Sequence, residues 1–356
     1  MKFNILFFSL LCINYFCTAQ MIPVEGVLFG RPINTEVDHE LAKTMLTNTA
    51  DSSVIRLFSH YNDLELTTEN LSIITENYSF DVATLFFLKT LYEQEENKQI
   101  QDFYLNVIDT LSLENAKYSL TFLKDYFIAF VPGFRYEHID NGGDFLQQRI
   151  LFDAAGIEYE LIRIDGTGRV QPNAEIVANR LNELNKIHKN IIIISVSKGG
   201  LETAIALGEL LDHDNASSIK AWLNVGGILK GTPVADRWSK PFMRFWMACG
   251  LFMVRIKVEL KGLLNEMSYE LGKERYKSFD IPSHIYTVNL IAASLGKEQP
   301  KKNVFTSPND SFSPLADAIT EDGVVVVEMG KDHYFRNIDL NVRMVALLHY
   351  IVNQLK

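Results

Sequence analysis

Four consecutive isoleucines, Ile191 to Ile194, run straight into Ser195-Val196-Ser197-Lys198-Gly199-Gly200, and this junction constrains the fold more than any other stretch of the chain. An apolar run without polar alternation is a strand buried on both faces, and the small residues after it let the backbone turn at once into a helix. The same texture of short β-rich runs and amphipathic stretches continues through everything after Lys124. Strands are expected at about 126–131, 159–164, 191–195, 221–225, 284–290 and 324–328, and helices at about 143–155, 173–188, 199–211 and 338–355. Strands alternating with helices place the chain in the α/β class, as a doubly wound, mostly parallel sheet. One long helical insertion, at about 230–279, breaks the rhythm.

The sequence before this region reads differently. Residues 20–123 are expected to be mostly helical, with apolar residues such as Phe80, Ala83, Phe87, Leu88 and Leu91 at helical spacing. Thr67-Thr68-Glu69-Asn70 and Ser79-Phe80-Asp81 read as helix caps, and Glu93 to Asn97 as a solvated charge run. His39 and His60 lack metal-ligand spacing. At the start, Lys2 precedes an apolar run from Ile5 to Phe16 and then Cys17-Thr18-Ala19-Gln20, the pattern of a signal peptide cleaved after Ala19. Residues 1–19 are therefore set apart from the fold. The expected protein is exported, periplasmic or secreted, with a lipid anchor on Cys17 disfavoured by the bulky Phe16 before it. Cleavage leaves Cys249 as the sole cysteine, so no intrachain disulfide is expected. Thirty-four Lys and Arg stand against 44 Asp and Glu, and no basic cluster occurs, which excludes nucleic acid as a partner. Charged residues within the insertion, such as Arg244, Arg255 and Lys257, argue against a membrane span there.

Chemistry is concentrated after the isoleucine run. A serine on a sharp strand-to-helix turn needs small residues two positions to either side, and Ser195 and Gly199 flank Ser197 in that way. The helix that follows aims its first amides at the same place, which favours negative charge on a substrate oxygen. This segment resembles the nucleophile elbow of the α/β-hydrolases, G-x-S-x-G, with Ser195 in place of the first glycine. In that family an acid and then a histidine follow the serine, each in a loop after a late strand. Pro308-Asn309-Asp310-Ser311-Phe312-Ser313-Pro314-Leu315 resembles the acid loop of bacterial lipases and esterases and puts the carboxylate at Asp310. Gly330-Lys331-Asp332-His333-Tyr334 resembles the histidine loop. Asp317, expected on a helix, Asp322, in a turn, and Asp332, adjacent to the histidine, are rival carboxylates. Of the eight histidines, His333 alone follows the last strand in a loop; His138, His188, His213 and His284 precede it and His349 lies on the terminal helix.

The resemblance also implies an oxyanion hole built from the backbone amides of Phe134, after the Val131-Pro132-Gly133 turn, and Lys198, whose side chain is expected to reach solvent. Val225 to Asp236 is similar to the segment G-x-P-x-x-G-T-P-x-A-D of bacterial lipases. The insertion that begins there carries Trp238, Phe242, Phe245, Trp246, Leu251, Phe252 and Ile256, enough apolar surface to cover a pocket or to pack as a helical cap. The expected protein is thus an exported, esterase- or lipase-like serine hydrolase of residues 124–356, acting on a small-molecule or lipid ester with no metal or organic cofactor. An acyltransferase or peptidase on the same scaffold, or a silent binding module, remains open at this point.

Overall fold

The computed structural model describes residues 21–356 except 63, 112–119, 138–142, 212–215, 254–258, 300–303 and 337. The expected signal peptide, His138, His213, Arg255, Ile256 and Lys257 lie outside the described residues.

Six strands form one parallel sheet: β3 (Phe127–Val131), β4 (Tyr159–Leu161), β5 (Ile191–Val196), β6 (Ile219–Val225), β7 (Tyr286–Ala293) and β8 (Val324–Met329), in the order β4-β3-β5-β6-β7-β8. The isoleucine strand lies inside the sheet, with Phe127 to Val131 beside it on one flank and Ile219 to Val225 on the other. Its four isoleucines are fully buried because they alternate between two cores, Ile192 and Ile194 facing one and Ile191 and Ile193 the other. The helices between strands are α6 (Leu146–Ala155), α7 (Val170–Asn185) and α8 (Lys198–Ile205), and α13 (Leu340–Gln354) closes the chain. From β3 the chain steps outward to β4 and then returns across β3 to β5. This reversal opens a crevice beyond the carboxyl ends of β3 and β5, where open α/β sheets bind ligands.

Before the sheet come β1 (Ile22–Leu28), β2 (Arg31–Val37), α1 (Glu40–Thr47), α2 (Ser52–His60), α3 (Thr68–Asn77), α4 (Phe80–Glu93) and α5 (Glu95–Thr110). The expected helical reading of residues 20–123 is corrected at its start: β1 and β2 are an antiparallel hairpin with Leu28 paired to Arg31. Phe29 and Gly30 both have positive φ, 51° and 69°, the backbone of a tight two-residue hairpin turn. The Thr67 and Ser79 side chains cap α3 and α4. The run at 93–97 is exposed through Glu96 but ends at buried Asn97, so its last residue is not solvated as expected.

Asn97 belongs to the arrangement that joins this region to the sheet. β8 is an edge strand, and α5 lies along it. Asn97 Oδ1 accepts from the Val325 amide at 2.7 Å, Gln101 Oε1 accepts from the Val327 amide at 2.8 Å, and Gln101 Nε2 donates to the Val327 carbonyl. Two amide side chains four residues apart on a helix face thus satisfy the edge that no further strand covers. Below them Ile291, Ala293, Val325 and Val327 share a core with Met45, Leu57, Phe87 and Leu88 of the N-terminal helices.

The insertion folds as α9 (Pro233–Ser239), α10 (Pro241–Met253), α11 (Leu260–Glu266) and α12 (Tyr269–Arg275). No helix among the described residues is long and apolar enough to cross a membrane.

Candidate active site

Ser197 sits directly after β5 with φ 57° and ψ −123°, backbone that a residue with a side chain rarely adopts. Close packing enforces this conformation. A Cβ on Gly199 would lie 2.4 Å from the Pro132 carbonyl oxygen, so only glycine lets the start of α8 lie against the loop after β3. On the other side of the turn, Ser195 is buried and its hydroxyl accepts a 2.7 Å hydrogen bond from the Trp222 indole of β6. The departure from the first glycine of the family pattern therefore satisfies a polar group that would otherwise be buried without a partner.

The structure brings Ser197, His333 and Asp310 together. Ser197 Oγ is 2.8 Å from His333 Nε2, and His333 Nδ1 is 2.7 Å from Asp310 Oδ2. An ionised carboxylate only accepts, so Nδ1 carries the proton and donates it to Asp310, which leaves Nε2 free to accept from the serine hydroxyl. Asp310 is held in turn by its own loop: Oδ1 accepts from the amides of Phe312, at 2.9 Å, and Ser313, at 2.7 Å. The His333 amide donates to the Asp310 carbonyl at 2.8 Å, tying the two loops backbone to backbone. Asp310 and His333 are both buried, and the Phe312 ring packs 4.8 Å from the imidazole.

The rival carboxylates lie elsewhere. Asp317 is not on a full helix but on a short 3-10 turn, Leu315–Asp317, where Thr68, Tyr269 and Lys230 bind it. Asp322 is exposed, and Asp332 accepts from the Tyr334 amide.

Phe134 and Lys198 face the same cavity as Ser197 and His333, of about 370 Å³. A Cβ on Gly133 would lie 3.5 Å from Ser197 Cβ, which measures how closely the loop after β3 approaches the serine. Neither the Phe134 amide nor the Lys198 amide donates to an acceptor among the described residues. The rest of the lining is largely apolar, with Val225, Leu290 and Met344 on the sheet side and Trp238, Leu264 and Met267 from the insertion. Of the insertion aromatics named from the sequence, Trp238 lines this cavity, whereas Phe242, Phe245 and Trp246 are 71%, 61% and 57% exposed. Trp246 meets both Phe242 and Phe245 edge to face along α10, and none of the three lines the cavity.

One expectation is overturned. The Lys198 side chain does not reach solvent: it is 1% exposed and its ammonium donates to Glu202, which is itself fully buried. One helical turn separates the two, and because that face of α8 points inward the pair is interior. Burial pushes the Glu202 carboxyl up from its usual range, opposed by the Lys198 charge. Lys198 and Glu202 stand four residues apart in the sequence, a spacing that ordinarily marks an exposed helical pair, so the local sequence does not announce their burial.

No protein-family profile matches the sequence, and no curated protein matches it. Among solved structures, a metagenomic carboxyl esterase superposes with a TM-score of 0.50 at 19% identity, over 65% of this chain and 76% of that one. The chain has the α/β-hydrolase fold. A Bacillus licheniformis lipase in its mature form aligns over 64% of this chain and 91% of its own, at 15% identity and a TM-score of 0.45. On the α/β-hydrolase scaffold, Ser197 occupies the strand-to-helix turn at the centre of the sheet, and Asp310 and His333 the loops after β7 and β8.

Proposed function

We propose that the protein is a serine hydrolase that cleaves carboxylic esters through a Ser197-His333-Asp310 triad. The observation that carries this reading is the unbroken hydrogen-bond chain from the serine hydroxyl to the buried carboxylate, at the wall of an apolar cavity. His333 Nε2 takes the proton as Ser197 Oγ attacks the ester carbonyl, and Asp310 stabilises the imidazolium that forms. The Phe134 and Lys198 amides, which have no acceptor among the described residues, receive the negative charge on the carbonyl oxygen. The intermediate collapses with the His333 proton going to the leaving alcohol, and water, deprotonated by the same base, releases the acyl group. General acid–base help of this kind contributes roughly 10²–10⁴-fold. The cavity lining favours an ester with an apolar part.

Ser197→Ala is expected to abolish turnover of short- and long-chain p-nitrophenyl esters, and with it labelling by a fluorophosphonate. Equal turnover by both proteins overturns the reading. The proposed enzyme acts after export: the purified protein from an exporting host should have an intact mass that begins at Gln20, and a mass that retains residues 1–19 rejects that location.

A further inference from the structure

A buried lysine and glutamate beside a proposed nucleophile call for an explanation. Taking two charges out of water is costly, so an interior ion pair is weak evidence of a stabilising role. Lys198 and Glu202 are both essentially unexposed, and the second carboxylate oxygen of Glu202 has no partner among the described residues. The pair does not end there. Asn173, buried in the first turn of α7, donates from Nδ2 to Glu202 Oε1 at 2.7 Å and to the Asp165 carbonyl at 2.8 Å, while its Oδ1 accepts from the Asp165 amide at 3.2 Å. The turn thus held, residues 165–168, carries the Gly166 carbonyl, which accepts from the Arg135 amide at 2.9 Å. The Tyr136 hydroxyl donates to the Ile164 carbonyl at 2.9 Å, just before that turn.

This chain of bonds connects two places that are far apart in sequence and meet at one point in space. It begins on Lys198 and ends on the residue that follows Phe134. The proposed mechanism uses the amide of Lys198 itself and that of Phe134, the residue directly before the Arg135 end of the chain. We propose that Lys198, Glu202 and Asn173 form a positioning network that fixes the spacing of the two oxyanion donors, the Phe134 and Lys198 amides. The inference rests on the proposed ester hydrolysis and assigns its site three positioning residues. Each bond in the network has a specific task. Lys198 to Glu202 pins the first residue of α8 from its side chain. Glu202 to Asn173 carries that restraint to α7. Asn173 grips both backbone groups of Asp165, and the Gly166 carbonyl then holds the loop after β3. A hydrophobic pair of equal volume would pack the interior without transmitting a direction, whereas hydrogen bonds to fixed lone pairs do so. Pre-organised donors need no rearrangement when charge develops, and misplacement on the scale of 1 Å is felt strongly in rate.

The test uses two variants of the full mature chain. Asn173→Ser cuts the link between the two halves while leaving Lys198 and Glu202 paired; the double variant K198M/E202L removes both charges at nearly constant volume. For each, kcat and KM are measured on p-nitrophenyl butyrate, together with the affinity for an aryl trifluoromethyl ketone, whose adduct with serine places an oxyanion where the intermediate would, and the urea midpoint. The expected result is a kcat about tenfold to 100-fold lower with KM within twofold, and ketone affinity falling in step with kcat/KM. Variants that lose stability but keep the wild-type kcat and ketone affinity overturn the proposal and make the network structural only. Should the double variant not fold, Asn173→Ser decides alone by the same criteria. Inert wild-type protein, neither turning over esters nor labelled by a fluorophosphonate, removes the ester reading and this inference together; active wild type with indifferent variants removes this inference alone.

Discussion

At the scale of single residues, Ser195 shows how a departure from a motif can be read physically. The sequence places a serine where the family pattern has glycine, and the structure gives its hydroxyl a buried partner, the Trp222 indole. Ser195→Ala is expected to lower stability by about 1–3 kcal/mol, because the indole N–H is then buried unpaired, while kcat on p-nitrophenyl esters stays within about threefold. Urea unfolding and steady-state kinetics check both halves; an unchanged urea midpoint would show that the indole finds another acceptor. Ser197, Asp310 and His333 were legible as a set because each sits in a short stretch whose residue types the chemistry demands, and because their chain order matches the resemblance. The Lys198 environment was not legible. A lysine and a glutamate four apart on a helix ordinarily make an exposed pair worth a few tenths of a kcal/mol. The packing of α7 against α8 helps enclose them, and across that contact Glu202 is bonded to Asn173, a residue with no local signature.

At the scale of elements, the sheet was readable from runs such as Ile191 to Ile194 and Val324 to Val327, since strands buried on both faces leave an uninterrupted apolar signal. The β1-β2 hairpin was missed because Pro23 and Gly26 break the alternation in β1 and its turn is Phe29-Gly30, not the Asn-Gly or Asp-Gly that marks such turns most clearly. The role of α5 was equally hidden, because amides at 97 and 101 on a polar helix look solvated until an edge strand is laid beside them. Gln101→Leu should leave the Val327 amide and carbonyl unsatisfied in the interior and cost about 2–4 kcal/mol in urea unfolding, with little change in KM. A cost below about 0.5 kcal/mol would mean that β8 satisfies its edge without α5.

A second contact of the same kind carries a pH signature. Asp81, buried in the first turn of α4, accepts from the Gly296 amide at 3.0 Å and lies against Asp38. Burial, then the Asp38 charge, raises its pKa to about 7, far above the unfolded value near 3.9. Between those values the native protein holds a proton that the unfolded chain has released. The contribution of Asp81 to stability is therefore full at pH below about 4, is lost as pH rises towards 7, and then levels off. Asp81→Asn keeps an oxygen acceptor for Gly296 and removes the titration, so its melting temperature relative to wild type should rise between pH 5 and about pH 7 and then level off. A difference that is constant with pH rules out this titration.

At the scale of the whole molecule, the N-terminal region packs as part of the core beneath one face of the sheet. Its helices share one apolar cluster with β7 and β8, its Asn97 and Gln101 complete the edge of the sheet, and Asp81 fastens the loop after β7. Asp317 adds a link in three directions, to Thr68 of α3, Tyr269 of α12 and Lys230 at the start of the insertion. The same loop, a few residues earlier, carries Asp310, so the segment that presents the proposed acid is anchored by both the N-terminal region and the insertion. A boundary near residue 123 divides the sequence by texture, yet one apolar cluster spans it. Unfolding should accordingly be one transition: tryptophan emission, which reports Trp222 in β6 and Trp238 and Trp246 in the insertion, and far-ultraviolet circular dichroism, which reports all helices, should give coincident urea curves. A chain that begins at Leu120 should fail to fold, since it exposes Ile291, Val325 and Val327 together with an unsatisfied strand edge, and so should be recovered only as aggregate. A soluble, monomeric and esterolytic protein from that shorter chain would show that the N-terminal region is an accessory, and the hydrogen bonds across β8 would then need another purpose.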